Sequence, residues 1–250
     1  MIIVEPSVEI LTSQEELNQI LKKIEVTART CYKSEHCIKV GSAEKLVSNL
    51  IAAGHDAMLE HASISARFIC DRGVSHELVR HRMASYAQES TRYCNYTQGK
   101  FNGELTFVKP HWIKKSVDKL MDDFAEGELI DDPSYVFLSD CMDSERNYYE
   151  LVEINGLMPQ DARGCLNHWV KTEVVMTANI REWRHFFKLR CDRAAHPDMR
   201  RLALMALKKF KEAVPVVFDD IPGQEEGDWE NWKNSLQILT SLKKEDQNNG

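Results

Sequence analysis

Alternation of apolar and polar residues is the feature that most restricts the fold of this sequence, and it occurs at positions 62–71. The apolar positions are Ala62, Ile64, Ala66, Phe68 and Cys70, and the polar positions between them include Ser63, Ser65, Arg67 and Asp71. Successive side chains of a β-strand point to opposite faces, so this pattern predicts a strand with one buried face that ends at Gly73. The chain therefore contains at least part of a sheet.

Helical spacing of apolar residues predominates elsewhere. It predicts a capped helix from residue 12 or 13, further helices at 42–53 and 75–82, and long helices at 111–124, 135–152, 159–175, 180–191 and 197–214. Short strands are expected around Pro6 and at 105–108. We expect an α+β fold, a helix-rich single domain with a small, mainly antiparallel sheet over residues 1–221. An acidic, amphipathic extension with a frayed end follows at 222–250.

Charge and cysteine content restrict the functional class. The 250 residues include 32 Lys and Arg against 39 Asp and Glu, a formal charge of -7, which disfavours a general polyanion binder. The 7 cysteines are scattered without a Cys-x-x-Cys pair, which indicates reduced thiols and a cytoplasmic location. No stretch approaches the length of a membrane span, and no basic leader precedes the first apolar residues. A soluble protein without nucleic-acid or membrane partners is expected.

A cationic cluster within thirteen residues contrasts with this acidic background. It consists of Arg80, His81, Arg82 and Arg92. Arginine forms planar, bidentate hydrogen bonds to phosphate, and Ser90 adds a hydroxyl donor, so the cluster is suited to a nucleotide phosphate. A solvated helix end with ion pairs to Glu77 and Glu89 would explain the same charges.

A second basic stretch, residues 179–196, interleaves arginines with aromatic residues. An amphipathic core helix with a basic outer face is one interpretation. A surface on which RNA bases stack is another, and an RNA- or DNA-binding module is therefore the alternative functional class.

Two common kinds of site are disfavoured. His76 and His81 are five residues apart, whereas a zinc-protease helix needs histidines four apart on one face, so no metal site is expected. The sequence contains no Gly-x-Gly, which excludes a Rossmann or P-loop phosphate cradle.

Four segments, in order along the chain, resemble the flavin-dependent thymidylate synthases. The principal motif is Arg80-His81-Arg82, then seven residues, then Ser90 with Thr91-Arg92-Tyr93 after it. The other segments are ARTCY at 28–32, GHDAMLEH at 54–61, and Asn179-x-Arg181 to Leu189-Arg190 with PQDAR at 159–163 before it. The resemblance covers roughly residues 28–200, and the chain is identified as a member of that family.

The resemblance implies a homotetramer whose sites lie between subunits. It implies that NADPH reduces FAD, that methylenetetrahydrofolate supplies a methylene group, and that reduced flavin supplies the hydride that completes dTMP from dUMP and releases tetrahydrofolate. The FAD contacts it implies are His55, Ala57, Glu60, Arg80, His81, Arg82, Gln88, Asn179, Arg181 and His185. The dUMP contacts it implies are Glu77, Leu78, Val79, Arg80, Gln88, Glu89, Ser90, Thr91, Arg92, Arg163 and Arg190.

The resemblance also leads to a catalytic candidate, Arg190. Methylation requires carbon 5 of uracil to act as a nucleophile, and loss of the N3 proton increases electron density there. A permanently charged guanidinium beside N3 stabilises the ionised ring. An alternative is that Arg190 only places a cation at the C-terminal end of a helix. The chain departs from the usual family pattern at Glu77, Ala87-Gln88 and Ala194.

Overall fold

A computed structural model describes residues 1–101 and 103–223 of the chain. Most of the extension expected at 222–250 lies outside the described residues. The strands are β1 (Ile2–Val4), β2 (Ser7–Ile10), β3 (Ser63–Asp71), β4 (Ala84–Gln88), β5 (Thr106–Val108) and β6 (Lys171–Asn179). The α-helices are α1 (Gln14–Thr30), α2 (Ser42–Ala52), α3 (Arg72–Leu78), α4 (Val117–Ala125), α5 (Pro133–Tyr149), α6 (Pro159–Ala162), α7 (Ile180–Arg190), α8 (Pro197–Ala213) and α9 (Pro215–Phe218).

The larger sheet has four antiparallel strands in the order β2, β3, β6, β4, and β1 pairs with β5 in a separate parallel ladder. β3 and β6 pair along their whole lengths, with Ser63 opposite Asn179 and Asp71 opposite Lys171. The alternation at 62–71 therefore produces the predicted half-buried strand. The helix-rich α+β class and the mainly antiparallel sheet are confirmed.

Helices cover the buried face of this sheet. Six aromatic rings from β3, α7, α8 and α9 form the centre of the main core: Phe68, Trp183, Phe186, Phe187, Phe210 and Phe218. Trp183 Nε1 donates to the Ile64 carbonyl at 2.9 Å, which fixes α7 against β3. A second apolar cluster joins α4 and α5 to β1 and β5.

The helix predicted at 159–175 is wrong. Only Pro159–Ala162 is α-helical, and Lys171–Asn179 forms β6, an interior strand of the sheet. Thr172, Val174 and Met176 are buried at a spacing of two, and the pairing of β6 with β3 and β4 satisfies its backbone groups on both sides. Residues with high β propensity thus override the apparent helical spacing.

The helix predicted at 75–82 also differs from the structure. α3 begins earlier, at Arg72, because the Asp71 side chain accepts from the Val74 backbone N–H at 2.8 Å and caps it. It ends at Leu78, so Arg80, His81 and Arg82 lie in the connection to β4, a strand that the helical spacing did not predict. The other long helices form with shifted ends; α4, for example, begins at Val117 after the capping residue Ser116 rather than at 111.

Within the part of the chain that the structure describes, no helix combines the length and apolar character needed to span a membrane. All seven cysteines are free thiols. Burial raises the pKa of Cys141 and of Cys191 to about 12, so these two thiols stay protonated and serve as core residues.

Candidate functional site

The turn between α3 and β4 places three members of the cationic cluster in different environments. His81 is buried, with 5% of its surface exposed, whereas Arg80 and Arg82 are exposed. The Tyr86 hydroxyl lies 2.8 Å from the carbonyl oxygens of both Leu78 and His81 and holds the turn against β4. Burial raises the pKa of Tyr86 to about 12, so its hydroxyl remains a donor.

Arg190, the last residue of α7, turns back toward this connection. Its Nη1 donates to Glu77 Oε2 at 2.8 Å and its Nη2 donates to the Glu77 carbonyl at 3.1 Å. Its Nε donates to His81 Nε2 at 3.0 Å. The guanidinium is thus fixed by three contacts to α3 and the following turn, a geometry that a cation serving only the helix dipole does not need.

His81 continues this chain of contacts to the first turn of α7. Its Nδ1 lies 3.2 Å from Glu182 Oε1, and the Glu182 backbone N–H donates to Asn179 Oδ1 at 2.9 Å. Burial lowers the pKa of His81; the hydrogen bond to Glu182 opposes this shift, and the charge of Arg190 adds to it. Glu182 was not predicted as a site residue, although its place three residues after the N-cap Asn179 was visible in the sequence.

Two dUMP candidates on and after β4 are held by other side chains. Gln88 Nε2 donates to Ser75 Oγ at 3.0 Å and to Thr172 Oγ1 at 3.2 Å. Glu89 accepts from the Tyr96 hydroxyl at 2.7 Å and from Lys171 Nζ at 2.9 Å. The Glu89 carboxylate is therefore occupied by contacts within the chain. The backbone here and the residues after Glu89 are left to contact a ligand.

Ser90, Arg92 and Arg163 form a second group of candidates near α6. The Arg92 backbone N–H donates to Ser90 Oγ at 3.2 Å, and Arg92 Nε donates to Gln160 Oε1 at 3.1 Å. Gln160 belongs to α6, and Arg163 directly follows that helix. Arg92 and Arg163 are both exposed, so their guanidinium groups are accessible to an anion.

Most of the FAD candidates line two adjoining cavities. One has a volume of about 400 Å³ and is lined by residues that include Glu60, Asn179, Arg181, His185 and Lys188. The other has a volume of about 470 Å³ and is lined by residues that include Tyr32, Gly54, His55, Ala57 and Met58. Arg181 and Asp56 line both cavities, and Arg181 Nη1 donates to Glu60 Oε1 at 2.5 Å. Each volume is within the usual range for a small-molecule site.

The structure thus brings the sequence candidates together in three places rather than one. His55, Ala57, Glu60, Asn179, Arg181 and His185 surround the cavities. Glu77, His81 and Arg190 form the contacts at the end of α7, and His81 connects them to the cavity region because its ring lies 6.0 Å from that of His185. Arg92 and Arg163 lie near α6.

The solvated-helix interpretation of the cationic cluster is wrong in its expected ion pairs. Glu77 pairs with Arg190, and Glu89 pairs with Lys171. The RNA-stacking interpretation of residues 179–196 is also wrong for its aromatic residues, because Trp183, Phe186 and Phe187 are each 0% exposed. A base cannot stack on a ring that the core already covers.

One group of carboxylates outside these places has the spacing of metal ligands: Asp123, Glu126 and Glu128. Asp123 is held by Lys115 Nζ at 2.5 Å and Lys119 Nζ at 2.6 Å. These two ammonium groups compensate the charge of Asp123 and account for that carboxylate without an ion.

Known proteins resemble this chain in sequence and in fold. A family model described as "Thymidylate synthase complementing protein" matches residues 14–216. The flavin-dependent thymidylate synthase of Corynebacterium aurimucosum is 32% identical over 207 residues, which cover 79% of this chain and 78% of that protein. The enzyme of the same description from Geobacter sulfurreducens is 30% identical over 204 residues, with 79% and 80% covered.

The chain belongs to the flavin-dependent thymidylate synthase family. It is therefore an enzyme, and the resemblance found from four short segments extends over most of the chain. The family match at residues 14–216 includes the Arg80-His81-Arg82 segment and the segment from Asn179 to Arg190.

Two solved structures share the fold of this family member. The UMP/dUMP methylase PolB from Streptomyces cacaoi, bound with 5-Br dUMP, superimposes with a TM-score of 0.66 at 20% identity, covering 88% of this chain and 96% of that one. Thymidylate Synthase X from Helicobacter pylori, solved with FAD and dUMP, gives 0.65 at 20% identity, covering 86% and 98%.

Proposed function

We propose that this enzyme methylates dUMP reductively to dTMP, with methylenetetrahydrofolate as the carbon donor and FAD, reduced by NADPH, as the source of hydride. Tetrahydrofolate is the second product. The observation that carries the proposal is the fixed guanidinium of Arg190, held by Glu77 and His81 beside the motif that resembles the family's nucleotide site.

Arg190 supplies the chemistry that uracil needs. Its guanidinium has five N–H donors, and three of them are used in the contacts to Glu77 and His81 among the described residues. The remaining two suit N3 and the adjacent carbonyl oxygen of an ionised pyrimidine. Because arginine stays protonated, this positive charge persists while the ring loses its N3 proton and carbon 5 gains electron density.

The phosphate of dUMP suits the group near α6. Arg92 and Arg163 are exposed cations, and Ser90 offers a hydroxyl beside Arg92. Charge-assisted bonds from such donors to a phosphate dianion are among the stronger hydrogen bonds in proteins. Arg92 also lies 5.1 Å from the centre of the Tyr93 ring, which limits the orientations of its guanidinium.

The two adjoining cavities fit FAD by their size and donors. Their linings combine the cations Arg181 and Lys188 with the amide of Asn179 and the imidazoles of His55 and His185, which suits a pyrophosphate and the anionic edge of a reduced flavin. When bound, FAD supplies hydride chemistry that amino acid side chains lack. The protein's part is to hold the cofactor and to exclude water.

We infer that the active form is a homotetramer in which different subunits complete each site, and that the reaction takes place in the cytoplasm. In one chain, the nucleotide and flavin candidates occupy three separate places, which favours sites assembled across subunit boundaries. The reaction is assigned to residues 1–221, with 222–250 as an extension. Light scattering on an active sample should give about four times the 28.8 kDa chain mass; an active monomer would contradict this.

The flavin half of the proposal is tested on purified protein. The preparation should be yellow, release FAD on denaturation, and lose its visible flavin absorbance when NADPH is added without oxygen. A colourless protein that takes up no FAD and retards RNA in a gel would support the alternative nucleic-acid function.

A further inference from the structure

Both ring nitrogens of His81 are already engaged within the chain. Nε2 receives the Nε–H of Arg190 at 3.0 Å, and Nδ1 lies 3.2 Å from Glu182 Oε1. The ring is buried, and Phe186 packs against it with the two ring centres 4.9 Å apart. A side chain in this position has no free nitrogen with which to hold a ligand.

The protonation of this imidazole follows from its partners. Arginine cannot act as an acceptor, so the Nε–H of Arg190 is the donor and His81 Nε2 must carry a lone pair. The remaining proton of the neutral ring is therefore on Nδ1, from which it is donated to the Glu182 carboxylate. Glu182 thus fixes the tautomer in which Nε2 is free to accept.

The groups around the ring also favour its neutral form. Burial lowers the pKa of His81, the bond from Nδ1 to Glu182 raises it, and the charge of Arg190 lowers it further. From the other elements that pack here, Glu77 pairs with Arg190, and Tyr86 donates to the His81 carbonyl. A protonated ring would direct an N–H at the Nε–H of Arg190, which would break the contact.

We propose that His81 is a positioning residue for Arg190: a neutral imidazole, oriented by Glu182, accepts the Nε–H of the arginine and sets the plane of its guanidinium. Glu77, on α3, accepts two hydrogen bonds from the same guanidinium, so Arg190 is held from two sides. The role that the family resemblance implies for His81 is direct contact with FAD; the geometry points instead to an action through Arg190.

This inference rests on the proposed function of Arg190 for its effect on activity, but the tautomer can be measured independently. Full-length protein labelled with ¹⁵N at histidine would be examined by two-bond ¹H–¹⁵N correlation near neutral pH, with His81 assigned from the signals missing in His81→Gln. We expect His81 to show a protonated Nδ1 and an unprotonated Nε2. A ring protonated at Nε2, or at both nitrogens, would overturn the proposal whether or not the protein makes dTMP.

Two substitutions at the same position test the functional role. Glutamine can place an amide oxygen near the position of Nε2 and accept the Nε–H of Arg190, whereas alanine cannot. We expect His81→Ala to lower kcat for dTMP formation about 100-fold with bound FAD retained, and His81→Gln to recover at least about 10-fold of that loss. Equal losses in both variants, accompanied by loss of FAD, would show that His81 is a flavin ligand and overturn the proposal.

Two controls accompany these variants. His36→Gln changes an exposed histidine in the short turn after α1 and should leave both the His81 spectrum and the activity unchanged. Glu182→Gln keeps the shape of the side chain but can donate to Nδ1, so it should weaken the preference for the Nδ1–H tautomer and lower kcat. Full activity with an unchanged His81 spectrum in Glu182→Gln would contradict the part assigned to Glu182.

Discussion

Replacement of Arg190 by alanine should separate a catalytic role from a structural one. Two of its five N–H groups remain for a ligand among the described contacts, and hydrogen bonds to a charged group contribute about 1.5–3 kcal/mol each. A loss of about 3 kcal/mol of transition-state stabilisation lowers the rate by a factor of roughly 100 or more. We expect Arg190→Ala to lose dTMP formation by that factor.

Arg190→Ala should have a much smaller effect on the stability of the fold than on the rate of dTMP formation. The Glu77 and Arg190 side chains are 31% and 20% exposed, so water can replace part of their ion pair. Removal of Arg190 leaves the buried Nε2 of His81 without a donor, and we estimate a loss of about 1–2 kcal/mol in the free energy of unfolding. For a chain of this size that corresponds to a decrease in Tm of roughly 2–8 °C.

The assay compares three proteins: the parent, Arg190→Ala and Arg190→Lys. Lysine keeps a cation at the end of α7 but lacks the planar fork that contacts Glu77 and His81 together. Both variants should retain FAD and oxidise NADPH slowly in air while making little dTMP. The reasoning is refuted if Arg190→Ala makes dTMP at nearly the parental rate, or if lysine restores it fully.

Two further predictions concern the stability of the fold around α7. Trp183→Phe loses the bond to the Ile64 carbonyl and should lower the free energy of unfolding by about 1–3 kcal/mol in urea titrations; an unchanged midpoint would contradict this. The hydrogen bond from Arg184 lowers the pKa of Asp220 in the folded protein. The ionised Asp220 therefore stabilises the fold above the unfolded-state pKa of about 3.9, and this stabilisation is lost as pH falls through the lower pKa of the folded state. In thermal unfolding, the parent should have a higher Tm than Asp220→Asn near neutral pH, and this difference in Tm should disappear in that acid range. A difference in Tm that does not change with pH would contradict this.

The parts of the fold that the sequence predicted are those in which local pattern and tertiary burial agree. α1, α7 and α8 each have one apolar face directed at the core; Ser13 caps α1 as predicted, and α7 and α8 begin at the predicted residues 180 and 197. β3 was predictable because apolar residues occupy every second position from 62 to 70. β6 was not, because the partner strands that select an extended conformation for residues 171–179 lie far away in the sequence.

The sequence indicated candidate site residues but not the contacts among them. Short motifs indicated Arg190, Glu77 and His81, and the structure shows that these three side chains meet. Nothing in the spacing showed that His81 would be buried between Arg190 and Glu182, because that contact joins turns that are about a hundred residues apart. The enclosure of Glu89 by Tyr96 and Lys171 was hidden for the same reason.

The most direct test of the proposed reaction is a product assay with labelled carbon. The purified enzyme would be incubated without oxygen with FAD, NADPH, dUMP and methylenetetrahydrofolate carrying ¹³C in its methylene group, and the nucleotides would be separated and analysed by mass spectrometry. We predict dTMP with ¹³C in its methyl group, formed only when NADPH, dUMP and methylenetetrahydrofolate are all present. Reduced FAD in the enzyme with dUMP recovered unchanged would contradict the proposed function.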